Sequence, residues 1–153
     1  IEVSAVMGAI IGGGSEEQIE NIRRFAINSG LAFQIQDDLL DIIADEKEFG
    51  KKIGGDLIEG KKTYLLLKSL EVVNKKEDRD RIELIVKNSG IKENQKQEIE
   101  RIKKIYYDYG VIDAAKKAVE SFTLKADECI KDFDAKYQEL LKGFSQMLLE
   151  RNS

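Results

Sequence analysis

Histidine, proline and tryptophan are absent from the 153 residues, and there is a single cysteine, Cys129. Without histidine there is no imidazole acid or base and no Ser-His-Asp or Cys-His nucleophile system. One cysteine permits neither an intrachain disulfide nor a Cys/His zinc cluster. Any metal must therefore be held by oxygen, which favours Mg²⁺, with Mn²⁺ as second choice. The lack of proline removes the strongest helix breaker, and glycine falls mostly in a few clusters, so long helices and an all-α fold are expected. No apolar run approaches the roughly 20 residues of a membrane-spanning helix. No targeting segment is visible and the lone cysteine fits a reducing compartment, so a cytoplasmic location is expected.

What is present is the composition of one globular domain, 42% apolar and 35% charged, with 25 basic against 29 acidic residues and a net charge of −4. That mild acidity argues against a nucleic-acid partner, because phosphate contacts need a basic face. Residues 1–70 hold 8 basic and 12 acidic groups, whereas residues 71–153 hold 17 of each. From Glu71 onward charged and apolar residues alternate at helical spacing, with apolar stripes at Ile82, Ile85 and Val86, then at Ile99, Ile102, Ile105 and Tyr106. Ser89-Gly90 and Gly110 separate these helices. This half is expected to be structural.

The chain opens directly on an apolar run, Ile1, Val3, Ala5, Val6, Met7, Ala9, Ile10 and Ile11, which is expected to be part of a helix begun upstream. Gly12 to Gly14 would end it, and Ser15 with Gln18 three residues later forms a capping-box pattern that starts the next helix. That next helix, expected over residues 15–45, is the informative one. At about 100° per residue, Gln34, Asp37, Asp38, Asp41 and Asp45 fall on one stripe. The rest of its second half is apolar, with Leu31, Ile35, Leu39 and Ile42 on one side and Ala26, Phe33 and Leu40 on the other, as in a helix buried on most sides. Buried carboxylates at i, i+1 and i+4 repel one another and need compensation, which a divalent cation with bound phosphate would provide. The next segment, Phe49 to Leu67, carries Lys51, Lys52, Lys61 and Lys62 among four glycines. These lysines suit diphosphate oxygens, although a solvated loop would have the same composition.

The strings FQIQDDLLD, from Phe33 to Asp41, and FGKKIGGDLIEGKKTY downstream resemble the second aspartate-rich motif and following loop of the trans-isoprenyl diphosphate synthases, the polyprenyl synthetase family. The farnesyl and geranylgeranyl diphosphate synthases are the most similar members, and the likeness runs from Ile1 to about Leu70. The resemblance implies the C-terminal part of an isoprenoid-synthase helical bundle, all-α and homodimeric. In such a bundle two aspartate-rich helices hold magnesium on an allylic diphosphate, and isopentenyl diphosphate binds beside it. It further implies that Asp37, Asp38 and Asp41 are metal ligands and that Lys51 and Lys61 hold the allylic diphosphate. Gln34 would face the same cavity, Phe33 would pack beside it, and Asp56 would stand behind the first rank of ligands.

Several family features are missing. The first aspartate-rich motif, the basic residues for isopentenyl diphosphate, the residues that set product length and a Lys-Thr pair expected before Ile1 do not occur, and Leu65 stands where many relatives have proline. Residues 1–153 are therefore expected to be the C-terminal portion of a single polyprenyl synthetase domain, inactive without the N-terminal half. Two other readings stay open, a non-catalytic helical subunit or interaction module and a terpene cyclase. Retention of all three aspartates speaks against the first, and the FQIQDD and GKKIGGD strings against the second.

Overall fold

A computed structural model describes residues 1–44 and 53–150. Among these residues the regular structure is helical and there is no strand. Helices α1 (Glu2–Ile11), α2 (Glu16–Ile43), α3 (Gly55–Glu59) and α4 (Tyr64–Val72) are followed by α5 (Lys76–Lys87), α6 (Gln95–Asp108), α7 (Val111–Cys129) and α8 (Ala135–Glu150). None of the described helices is long and apolar enough to cross a membrane.

The expected punctuation is found. Gly12 closes α1 and Gly13 takes φ +74°. Ser15 and Gln18 exchange the two bonds of a capping box: the Ser15 amide donates to Gln18 Oε1 at 2.9 Å and the Gln18 amide to Ser15 Oγ at 3.2 Å. Two N–H groups left free by the start of α2 are satisfied in this way. The helix runs unbroken for 28 residues. Asp45, expected at its end, lies outside the described residues.

The chain divides into two compact units, one of residues 1–34 with 117–153 and one of residues 35–116. In the first unit Phe25, Ala126, Cys129 and Ile130 form a buried cluster against which Phe133 and Leu141 pack. Ser29 and Ser145, both buried, pair their hydroxyls at 2.7 Å, so that neither burial leaves a polar group unsatisfied. Arg23 joins α2 to α1 through Glu2 at 2.8 Å.

In the second unit the stripes read from the sequence face inward: Ile82 and Ile85 of α5 and Ile99, Ile102, Ile105 and Tyr106 of α6 are buried. Ile35, Leu39 and Ile42 of α2 and Leu65 and Leu66 of α4 are buried in the same unit. The turn after α3 is tied to the turn after α5. The Ile91 amide donates to the Leu57 carbonyl at 3.0 Å, and Gly60 and Gly90 meet there with φ +69° and +109°. A β-carbon on Gly90 would lie 2.1 Å from the Ile58 carbonyl oxygen, and one on Gly60 would lie 2.3 Å from the Ser89 backbone.

One expectation is corrected. The helix holding the aspartates is not buried on most sides, since Ile27 and Leu31 are 40% and 41% exposed. Periodicity identifies which residues are apolar, but a neighbouring element must be present to cover each face.

Candidate functional site at the end of helix α2

The last turns of α2 carry the three aspartates in one continuous helix, so their order along it is fixed by helical geometry. Their surroundings differ. Asp37 is exposed, while Asp38 and Asp41 are half-buried. Asp38 Oδ2 accepts the Tyr64 amide at 3.0 Å, at the first residue of α4. Asp41 Oδ1 accepts the Gly55 amide at 3.2 Å and its Oδ2 accepts the Asp56 amide at 3.2 Å, both in the first turn of α3. The Asp41 backbone carbonyl also receives the Gly54 amide at 2.7 Å. Amides at a helix start point outward with partial positive charge, and a carboxylate placed against them satisfies both partners.

Electrostatics mark the same place. Burial pushes the Asp38 carboxyl up from 3.8 to about 6; the Tyr64 amide opposes this, and the charges of Asp56, Asp37 and Asp41 reinforce it. Asp41 is also raised, first by burial, with the Asp56 amide pulling it back. Behind them stands Tyr106, fully buried. Its phenol is raised by burial, partly relieved by Ser69 and raised again by the Asp38 charge. Ser69 gives its own hydrogen to the Leu66 carbonyl at 2.7 Å, and the Tyr106 hydroxyl has no hydrogen-bond partner among the described residues.

Asp56 and Lys61 form an ion pair, Nζ to Oδ1 at 2.6 Å, and Lys61 also reaches Glu59 at 3.2 Å. The hydrogen bond from Lys61 to Asp56 is the main reason its ammonium is held more firmly protonated than usual. Sequence reasoning named both residues but not their pairing. A signal for it existed: Gly60, between them, adopts a left-handed conformation that turns the chain back, so that the Lys61 amide donates to the Asp56 carbonyl at 2.9 Å. Lys62 is exposed. Gln34 is exposed and Phe33 half-buried, both on α2. Lys51, Lys52 and Phe49 lie outside the described residues.

Among the described residues no three carboxylates are gathered closely enough to form a ready-made metal cluster. The donors nevertheless suit a hard cation. They are carboxylate oxygens, one aspartate is open to solvent, and Asp38 is raised first by burial and then by neighbouring carboxylates, a repulsion that a divalent cation would relieve.

The polyprenyl synthetase family pattern matches residues 1–106. A geranylgeranyl diphosphate synthase of Saccharolobus solfataricus is 38% identical over 117 residues, which are 74% of this chain and 34% of that protein. A short chain isoprenyl diphosphate synthase of Methanothermobacter thermautotrophicus is 34% identical over 99% of this chain and 45% of its own length. The crystal structure of a geranylgeranyl pyrophosphate synthetase from Pyrococcus horikoshii superposes with a TM-score of 0.83 at 34% identity, covering 98% of this chain and 44% of that one. The chain thus spans less than half the length of these relatives. With an all-helical fold, the aspartates on α2 and a family match over more than half of its residues, the chain belongs to the polyprenyl synthetase family.

Proposed function

We propose that the protein carrying this chain is a prenyltransferase that joins isopentenyl diphosphate to an allylic diphosphate, giving a longer trans-polyprenyl diphosphate. In this reading the chain is the C-terminal half of a synthase domain that acts as a homodimer, and it supplies the second aspartate-rich face of the active site. The observation that carries the reading is the exposed Asp37 at the end of α2, flanked by Asp38, in a chain of this family.

Asp37 would hold Mg²⁺ (or Mn²⁺) through its exposed carboxylate, and Asp38 would contribute the oxygen that the Tyr64 amide leaves open. The bound metal would neutralise negative charge growing on the departing diphosphate. Lys61 would add a point charge to the same diphosphate, exchanging Glu59 for phosphate oxygen while Asp56 keeps it in place. Lys51 is proposed to act on the allylic diphosphate likewise, and Gln34 and Phe33 to border the substrate. Loss of diphosphate leaves an allylic cation, the isopentenyl double bond attacks it, and a proton is then released. Apolar surroundings would protect the cation from water.

The test is incubation of the protein with isopentenyl and allylic diphosphates, with and without magnesium, and separation of the products by chain length. A magnesium-dependent product longer by five-carbon steps is expected. Recovery of both substrates unchanged, from protein that contains the family's other half, would refute the proposal.

A further inference from the structure

Resting on the reading of the α2 end as a metal-diphosphate site, we infer that Asp41 is a positioning residue. It clamps the first turn of α3, and with it the Asp56–Lys61 ion pair, against α2, and it leaves metal contact to Asp37 and Asp38.

The three aspartates are equivalent by residue type but not by geometry. Both Asp41 carboxylate oxygens are engaged, Oδ1 by the Gly55 amide and Oδ2 by the Asp56 amide, each at 3.2 Å. The same residue's carbonyl takes the Gly54 amide at 2.7 Å. Three successive amides therefore converge on one residue. A cation on those carboxylate oxygens would face two N–H dipoles aimed at the same atoms, an unfavourable arrangement. Asp37 is exposed, and among the described residues no backbone amide binds its carboxylate.

The clamp has a clear beneficiary. Asp56, whose amide Asp41 holds, binds Lys61 Nζ at 2.6 Å through its side chain, and its carbonyl accepts the Lys61 amide at 2.9 Å. The path from Asp41 to the Lys61 ammonium thus runs through the Asp56 amide, the Asp56 carboxylate and the short α3 turn.

Two measurements on the protein carrying this chain test the inference, comparing Asp41→Ala, Asp41→Asn and Asp37→Asn. The first is amide hydrogen exchange over Ile53–Glu59 in metal-free protein, which requires no activity. Loss of the clamp should speed exchange at Gly55 and Asp56 about tenfold in Asp41→Ala and less in Asp41→Asn, which keeps one acceptor oxygen, while Asp37→Asn leaves it unchanged. The second is the magnesium concentration for half-maximal turnover. It should rise about tenfold or more in Asp37→Asn and less than about twofold in Asp41→Asn, whose loss appears instead in kcat and is not additive with Lys61→Ala.

Unchanged exchange in Asp41→Ala overturns the inference, as does a magnesium requirement in Asp41→Asn raised as far as in Asp37→Asn. If Asp41→Ala does not fold, Asp41→Asn carries both readouts. A magnesium response unaltered in Asp37→Asn, with faster exchange in Asp41→Ala, would instead remove the metal reading and leave the clamp standing.

Discussion

The unit of residues 35–116 and the unit of residues 1–34 with 117–153 solve the same problem with different thoroughness. In the former, isoleucine and leucine stripes from four helices are buried, two turns touch through Gly60 and Gly90, and Asp38 and Asp41 are held by backbone amides. In the latter, apolar side chains remain open along α1 and α8: Val3 is 70% exposed, Ile10 57%, Leu140 61% and Met147 56%. A cleft of about 520 Å³ lies among Ala5, Ala9, Ile22, Phe133, Tyr137 and Leu140. The lesson is that a tightly determined site can sit in a chain whose other faces are uncovered. Precision at the α2 end comes from local clamps and the nearby core, so it does not require every apolar face to be satisfied.

The comparison can be broken most directly in the tighter unit. Gly90→Ala would push a β-carbon against the Ile58 carbonyl at a φ that side chains rarely adopt, so a loss of about 3 kcal/mol or more is expected in denaturant unfolding. In the looser unit Gly143, within α8, has open space around it. Gly143→Ala should accordingly raise stability, by about 0.5–1 kcal/mol through helix propensity alone.

Between these two extremes lie a pH effect and an association effect. The Asp38 carboxyl is raised in the folded state from 3.8 to about 6. Within that window the native state holds its proton more tightly than the unfolded chain, so the stability of metal-free protein should fall as pH rises from about 4 to about 6. Asp38→Asn keeps an acceptor for the Tyr64 amide and removes this contribution. It should stabilise the metal-free protein at pH 7 by about 1 kcal/mol, a figure discounted for the side chain's partial exposure, with a remnant slope from Asp41. In the looser unit the isolated 153-residue chain should self-associate through its open apolar faces. Light scattering should report species larger than a monomer, reduced in the Met7→Lys, Leu140→Lys double variant; a well-behaved monomer would show these faces to be tolerated.

How far the sequence reached follows the same division. The capping box at Ser15 and Gln18, the stop at Gly12 and the stripes of α5 and α6 were legible because each is a local pattern with one stereochemical solution. The common stripe of Asp37, Asp38 and Asp41 was legible too, since helical spacing alone sets it. Their different surroundings were not. The amides that hold Asp38 and Asp41 come from Tyr64, Gly55 and Asp56, positions 14 to 26 residues away. Which oxygen meets which amide depends on how the chain folds back after α2, and no periodicity encodes that. The open flank at Ile27 and Leu31 escaped for a related reason, because residue type reports what a face prefers and says nothing of whether a partner lies against it.

The central claim is that Asp37, at the end of α2, serves a magnesium-dependent reaction on diphosphates, and it is tested most directly by steady-state product formation over a magnesium titration for Asp37→Ala and Lys62→Ala. Turnover of Asp37→Ala should fall by about 10²- to 10³-fold at every magnesium concentration while the fold is retained, and Lys62→Ala should stay within about twofold of the parent. Near-normal rates for Asp37→Ala, or a greater loss for Lys62→Ala than for Asp37→Ala, would contradict the account.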